Sequence, residues 1–85
     1  MLDCYHTYII YSESRDTYYI GSSEDLDKRV LDHNSGRSKY TKSGKPWLLK
    51  YSEPFKTRSK AVKRELEIKK KKSRKYIEFL ISSAR

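Results

Sequence analysis

The chain has 85 residues, with 20 Lys+Arg against 11 Asp+Glu and a formal net charge of +9. A chain of that length makes one small domain, burying about 60–65% of its extended surface. A single cysteine and the lack of any apolar window near about 18 residues exclude a disulfide framework, a zinc set and a membrane-spanning helix. So one-sided a charge exceeds what solubility needs and points to a polyanionic partner, nucleic acid ahead of an anionic membrane surface. Cys4 is read as a free thiol of a reducing compartment, and the N-terminus has no signal-peptide core. The expectation is a cytoplasmic protein with no membrane partner.

Tyr5 to Tyr11 is dense in β-branched and aromatic residues and predicts a strand. Period-2 geometry puts Thr7, Ile9 and Tyr11 on one face and His6, Tyr8 and Ile10 on the other. Ser12 to Asp16 is polar and fits a hairpin connection. Thr17 to Gly21 is then a second, antiparallel strand, with Tyr8 and Tyr19 side by side across the pair. Gly21 is expected to let the chain turn, and Ser22 or Ser23 to cap a helix over Glu24 to Asn34. Glu24, Asp25 and Asp27 suit the positive end of that helix dipole. Leu26 and Val30 anchor it, while Arg29 and His33, spaced i, i+4, share one face. Asn34-Ser35-Gly36 stops it.

From Arg37 to Pro46 there is no apolar period. Lys39, Lys42 and Lys45 alternate with Tyr40, Thr41, Ser43 and Gly44, which reads as a basic, mobile loop. Trp47 to Tyr51 predicts a third strand, ended by Glu53-Pro54 because proline offers no ladder N–H. Thr57 or Ser59 can cap a second helix over Arg58 to Lys71. In it Ala61, Glu65 and Ile68 fall on one inward stripe, and a carboxylate there needs a cation, metal or hydrogen bond. Ser73 can cap a third helix with an apolar stripe of Tyr76, Ile77, Leu80 and Ile81. The result is one α+β (α/β-class) domain over residues 1–85, a small three-stranded sheet in ββαβαα order flanked by helices.

Five polar residues stand out: Tyr8, Tyr19, Arg29, His33 and Glu65. In this order the chain resembles the GIY-YIG nuclease family. Tyr19-Ile20-Gly21 matches the second triplet in full, and His6-Thr7-Tyr8 keeps only the tyrosine of the first. The family's helix arginine falls on Arg29, its His or Tyr one turn later on His33, and its metal-binding glutamate, with alanine four residues before, on Glu65 after Ala61. The further pattern His33-Asn34, Tyr40-Thr41, Pro46-Trp47, Arg64-Glu65 and Ile68-Lys69 is similar to small stand-alone domains related to the catalytic module of bacterial excision-repair incision proteins.

The resemblance implies Mg²⁺- or Mn²⁺-dependent hydrolysis of DNA, with DNA repair or recombination as its setting. The residue types suit that chemistry. Glu65 can hold one hard cation that keeps its waters and binds substrate phosphate. Arg29 offers a planar fork to a phosphate oxygen. Tyr8 or Tyr19 could take the water's proton as phenolate, at a cost of about 4 kcal/mol at pH 7 for an ordinary tyrosine. His33 could assist that base or hold the scissile phosphate. Lys39, Tyr40, Lys42, Lys45 and Lys69 are the candidate nucleic-acid contacts, though Lys69 could instead pair with Glu65 at i+4. Each residue also has a plain structural reading: strand tyrosines pack, helix arginines are solvated, and lysine runs form solvated faces. The competing function is a non-catalytic nucleic-acid-binding module on the same scaffold. Branched or single-stranded DNA and RNA are also compatible with the charge, and a monomer or weak homodimer is expected.

Overall fold

The computed structural model describes residues 4–84. Three antiparallel strands, β1 (Tyr5–Ser12), β2 (Thr17–Ser23) and β3 (Trp47–Phe55), lie in the order β2-β1-β3. Helix α1 (Leu26–Ser35) follows β2, and helices α2 (Arg58–Lys71) and α3 (Arg74–Ser83) follow β3. The predicted ββαβαα order is observed. Among the described residues no helix is long and apolar enough to cross a membrane.

The strand alternation sorts two cores onto the two faces of the sheet. Ile9 and Ile20 stand opposite each other and pack with Ile68 of α2 and Leu80 of α3. Tyr8, Ile10 and Trp47 pack on the other face with Leu26 and Val30 of α1. The apolar spacing in α1 and α3 is thus what docks them. In α2 the buried residues are Ala61 and Ile68, whereas Val62 and Leu66 are exposed. Thr7 ties α2 to the central strand by donating from Oγ1 to the Ala61 carbonyl at 2.7 Å.

Several boundaries differ from expectation for identifiable reasons. Helix α1 is capped by Asp25, which accepts from Lys28 N–H, and not by Ser22 or Ser23. Those serines extend β2, which pairs with β1 out to His6↔Ser23. Gly36 ends α1 in the left-handed region as expected. Strand β3 runs on through Pro54 to Phe55, as an edge strand allows, since only one of its sides carries a ladder. Caps Thr57 and Ser73 hold α2 and α3 as predicted.

Candidate functional site

The site gathers at the β2 edge of the sheet. Tyr8 and Tyr19 share a face, but the register pairs Tyr8 with Gly21 and Ile10 with Tyr19, so the two tyrosines are diagonal neighbours and not directly opposite. Gly21 is a mid-strand residue, not a turn. A Cβ there would lie 2.5 Å from Tyr8 Oη and 2.7 Å from its Cζ. No side chain fits at that position: the hydroxyl end of Tyr8 occupies the space above Gly21, in the edge strand β2.

That hydroxyl meets His33 from α1, with Oη 2.8 Å from Nε2. His33 is 0% exposed and Tyr8 1%. Burial pushes the His33 pKa down to about 4, with the Arg29 charge one turn earlier adding to the shift and Asp32 opposing it. Burial likewise pushes the Tyr8 phenol up to about 12, against the Arg29 guanidinium, which favours the phenolate. Both groups are therefore neutral at pH 7. Arg29 is half-buried and its own pKa is raised: the cost of burying the guanidinium is outweighed by the Tyr8 hydrogen bond and charge, with Tyr19 and Asp32 adding. The Tyr19 ring stands edge-on to His33 with centroids 5.1 Å apart, and edge-on to Trp47 at 6.4 Å.

Glu65 arrives from the opposite face. Its Oε1 accepts from Ser22 Oγ at 2.8 Å, and its Oε2 from Lys69 Nζ at 2.6 Å. The inward carboxylate anticipated on α2 is compensated by one hydroxyl and one cation. Lys69 bridges the two faces, since its Nζ also lies 5.9 Å from the Tyr19 ring centroid, and the Glu65 charge reaches Tyr8. The five residues form a rim around the β2 edge: Tyr8, Tyr19, Arg29 and His33 on the α1 side, Glu65 on the α2 side.

The Arg37–Pro46 segment is pinned, which corrects the expectation of a mobile loop. It contains a 3-10 turn, Lys42–Gly44, and buries Thr41 and Gly44. Thr41 Oγ1 is 2.6 Å from His33 Nδ1, and the Thr41 carbonyl accepts from the Trp47 indole N–H at 2.6 Å. Asn34 closes the unit, accepting from Trp47 N–H and donating Nδ2–H to the Trp47 carbonyl at 3.0 Å. Of the residues singled out for nucleic acid, Lys39, Tyr40, Lys42, Lys45 and Lys69 are all exposed, Tyr40 by 84%. Sequence reasoning gave Ser22 and Asn34 only helix-end roles, as cap and stop, and gave Thr41 and Asn34 no chemistry beyond their places beside Tyr40 and His33 in the family pattern. Their only signal for a part in the site was adjacency to Tyr40, His33 and the Tyr-Ile-Gly triplet.

The family model of the GIY-YIG catalytic domain matches residues 4–77. A UPF0213 protein of Staphylococcus saprophyticus is 42% identical over 69 residues, covering 80% of this chain and 83% of that protein. A UPF0213 protein of Halobacterium salinarum is 41% identical over 66 residues, covering 76% and 84%. The solution structure of a UPF0213 protein of Bacillus halodurans superposes with a TM-score of 0.59 at 30% identity, over 95% of this chain and 85% of that one. With the triplet, the helix arginine and the glutamate in their order and nearly the whole length matched, the chain belongs to the GIY-YIG nuclease family.

Proposed function

We propose that the chain is a metal-dependent endonuclease hydrolysing DNA phosphodiester bonds, with Mg²⁺ or Mn²⁺ at Glu65 and Tyr8, Tyr19, Arg29 and His33 around the scissile phosphate. The observation that carries this reading is the buried Tyr8–His33 hydrogen bond, with Arg29 acting on the same phenol and a carboxylate on the same rim. Arg29 binds a phosphoryl oxygen and meets the charge that grows on it in the transition state. The attacking water must lose a proton. With its pKa near 12, Tyr8 is ionised at pH 7 only at a cost of about 7 kcal/mol. It serves as proton acceptor without becoming a phenolate if its own proton passes to His33 Nε2, 2.8 Å away, as the water's proton arrives. The imidazolium so formed, with its pKa near 4, then costs about 4 kcal/mol at pH 7 in place of about 7.

The donor set fits a hard cation. Each Glu65 oxygen accepts one hydrogen bond and retains a second acceptor position. Among the described residues no group of three or more His, Cys, Asp or Glu surrounds a common point, so the fitting ion is one that keeps most of its waters on a single carboxylate. Such an ion supplies charge neutralisation and a more acidic water. Exposed Lys39, Tyr40, Lys42 and Lys45, on the segment after His33, and Lys69 at the rim are the DNA contacts in this reading. One observation favours a binding-only module instead: Lys69 already neutralises Glu65.

The test is digestion of plain, nicked and branched duplexes with and without Mg²⁺, beside Glu65→Ala. Cleavage is expected only with Mg²⁺, and Glu65→Ala is expected to cut roughly a thousandfold more slowly, several kcal/mol of lost charge stabilisation. Its melting temperature should fall by no more than about 8 °C, since it loses a half-buried pair with Lys69 and one hydrogen bond from Ser22. A wild-type protein that binds every duplex and cuts none, with Glu65→Ala binding as well or better, establishes the binding-only reading.

A further inference from the structure

We infer that Thr41 is a positioning residue that fixes which nitrogen of His33 carries the proton, and so decides whether Tyr8 can pass its proton on. This rests on the reading of Tyr8 and His33 as the proton-accepting pair, and it adds a residue outside that pair. His33 lies wholly within protein, and both ring nitrogens are engaged: Nε2 by Tyr8 Oη at 2.8 Å and Nδ1 by Thr41 Oγ1 at 2.6 Å. A neutral imidazole has one N–H and one bare nitrogen. Tyr8 and Thr41 both present hydroxyls that can donate or accept, but a phenol is far more acidic than an aliphatic hydroxyl and is the stronger donor. The inferred pairing therefore has Tyr8 donating to Nε2 and Thr41 accepting from Nδ1. With Nδ1–H donating to Thr41 Oγ1, Nε2 is bare and accepts the Tyr8 O–H. With the reverse tautomer, Nε2–H points at Tyr8 and leaves no site for its proton.

Thr41 is held independently of its hydroxyl: its N–H donates to the Ser38 carbonyl at 3.3 Å and its carbonyl accepts from Gly44 N–H at 3.1 Å. The Trp47 indole N–H bonds the Thr41 carbonyl, and Trp47 is itself gripped at both backbone groups by Asn34, the residue next to His33. Thr41 is 0% exposed, so its hydroxyl is shielded from water that would otherwise compete for Nδ1. When the attacking water gives its proton to Tyr8 Oη, the Tyr8 proton moves to Nε2. The imidazolium then has two N–H groups, and Thr41 Oγ1 accepts from Nδ1 before and after the transfer. The charged groups bearing on the ring are Arg29 and Asp32 on its own helix, and the rings packed against it are Tyr8 from β1 and Tyr19 from β2. None of these changes the bond at Nδ1.

The experiment pairs a long-range proton–nitrogen spectrum of His33 with cleavage rates, in wild type, Thr41→Val and Thr41→Ser. The valine variant keeps volume and the carbonyl that Trp47 uses, and loses only the hydroxyl. Wild type is expected to show the Nδ1–H form. Thr41→Val is expected to shift toward Nε2–H, because a buried Nδ1–H would have no acceptor, and to cut about tenfold to a hundredfold more slowly. Thr41→Ser is expected to restore both the tautomer and the rate to within about threefold, with all three proteins folded by their amide spectra. A wild-type Nε2–H form overturns the inference, as does a Thr41→Val protein with the wild-type tautomer and rate. A wild type with the Nδ1–H form that cuts no substrate overturns the nuclease reading and leaves the role of Thr41 in setting the tautomer standing.

Discussion

On the α2/α3 face of the sheet the core cluster is Ile9, Ile20, Ile68 and Leu80, held by contact area, with one polar tie beside it, from Thr7 to the Ala61 carbonyl. On the α1 face Tyr8, Ile10 and Trp47 are equally buried, but they enclose His33 and Thr41 in a line of hydrogen bonds running from the phenol to the indole. The first kind of core loses stability in proportion to the atoms removed. The second is complete or costly, because deleting one member strands its neighbours with unpaired polar groups out of reach of water. The same sheet thus supports a forgiving scaffold on one side and an unforgiving chemical assembly on the other.

The apolar side gives the largest expected change in stability. Ile68→Ala empties a fully buried position between α2 and the sheet and should lower unfolding free energy by about 2–5 kcal/mol. The loss should be the same at pH 7 and pH 5, since no titrating group sits in that cluster's buried set. Denaturant titrations at both values check it. A loss that changes with pH would show that the two faces are coupled and break the contrast.

His33 gives the opposite behaviour. Its folded-state pKa, about 4, lies below its ordinary value of 6.5, so the unfolded chain binds this proton first. The stability due to neutral His33 is complete above about 6.5 and is lost as the pH falls toward about 4. Between pH 7 and pH 5 that amounts to about 2 kcal/mol. His33→Gln should remove this part of the pH dependence while leaving the carboxylate part in place. Wild-type and variant stability curves that run parallel from pH 7 to pH 5 would show that His33 is protonated without penalty in the fold.

The contrast also explains what the sequence could reveal. Apolar periodicity is a statement about contact area, so the strands, the helices and the inward places of Ile68 on α2 and Leu80 on α3 were legible from spacing, while their meeting with Ile9 and Ile20 across the sheet was not. A polar assembly depends on register and on loop path, which spacing does not encode. Gly21 was legible as a required glycine but not for its reason: it makes room for Tyr8, which only the Tyr8↔Gly21 pairing reveals. Thr41 lies in a lysine-rich stretch with no apolar period and looked solvated. Its burial comes from Trp47 and Asn34, six and seven residues away on either side. Pro54 marked a strand end by local chemistry, and the edge position of β3 removed the reason for ending there.

The smallest expected effect belongs to the rim where the faces meet. Lys69 neutralises Glu65 across 2.6 Å while its Nζ lies 5.9 Å from the Tyr19 ring centroid, so a bound cation competes with an ammonium already in place. Lys69→Met keeps the apolar stem and removes the charge. The lysine is exposed, so the pair is worth about 0.2–1 kcal/mol. Its loss should lower the Mg²⁺ concentration for half-maximal cleavage by about 1.4- to 5-fold. If Lys69 also touches a phosphate, the variant's log–log salt slope for duplex binding should be shallower by about 0.9. The two readouts separate the roles. A lower Mg²⁺ requirement with an unchanged salt slope makes Lys69 a counter-ion of Glu65 alone, and a shallower slope with an unchanged requirement makes it a DNA contact alone. A raised Mg²⁺ requirement would mean that the ammonium assists the cation's site instead of competing for it. The α2 side of the rim would then be a built assembly of the same unforgiving kind as the α1 face.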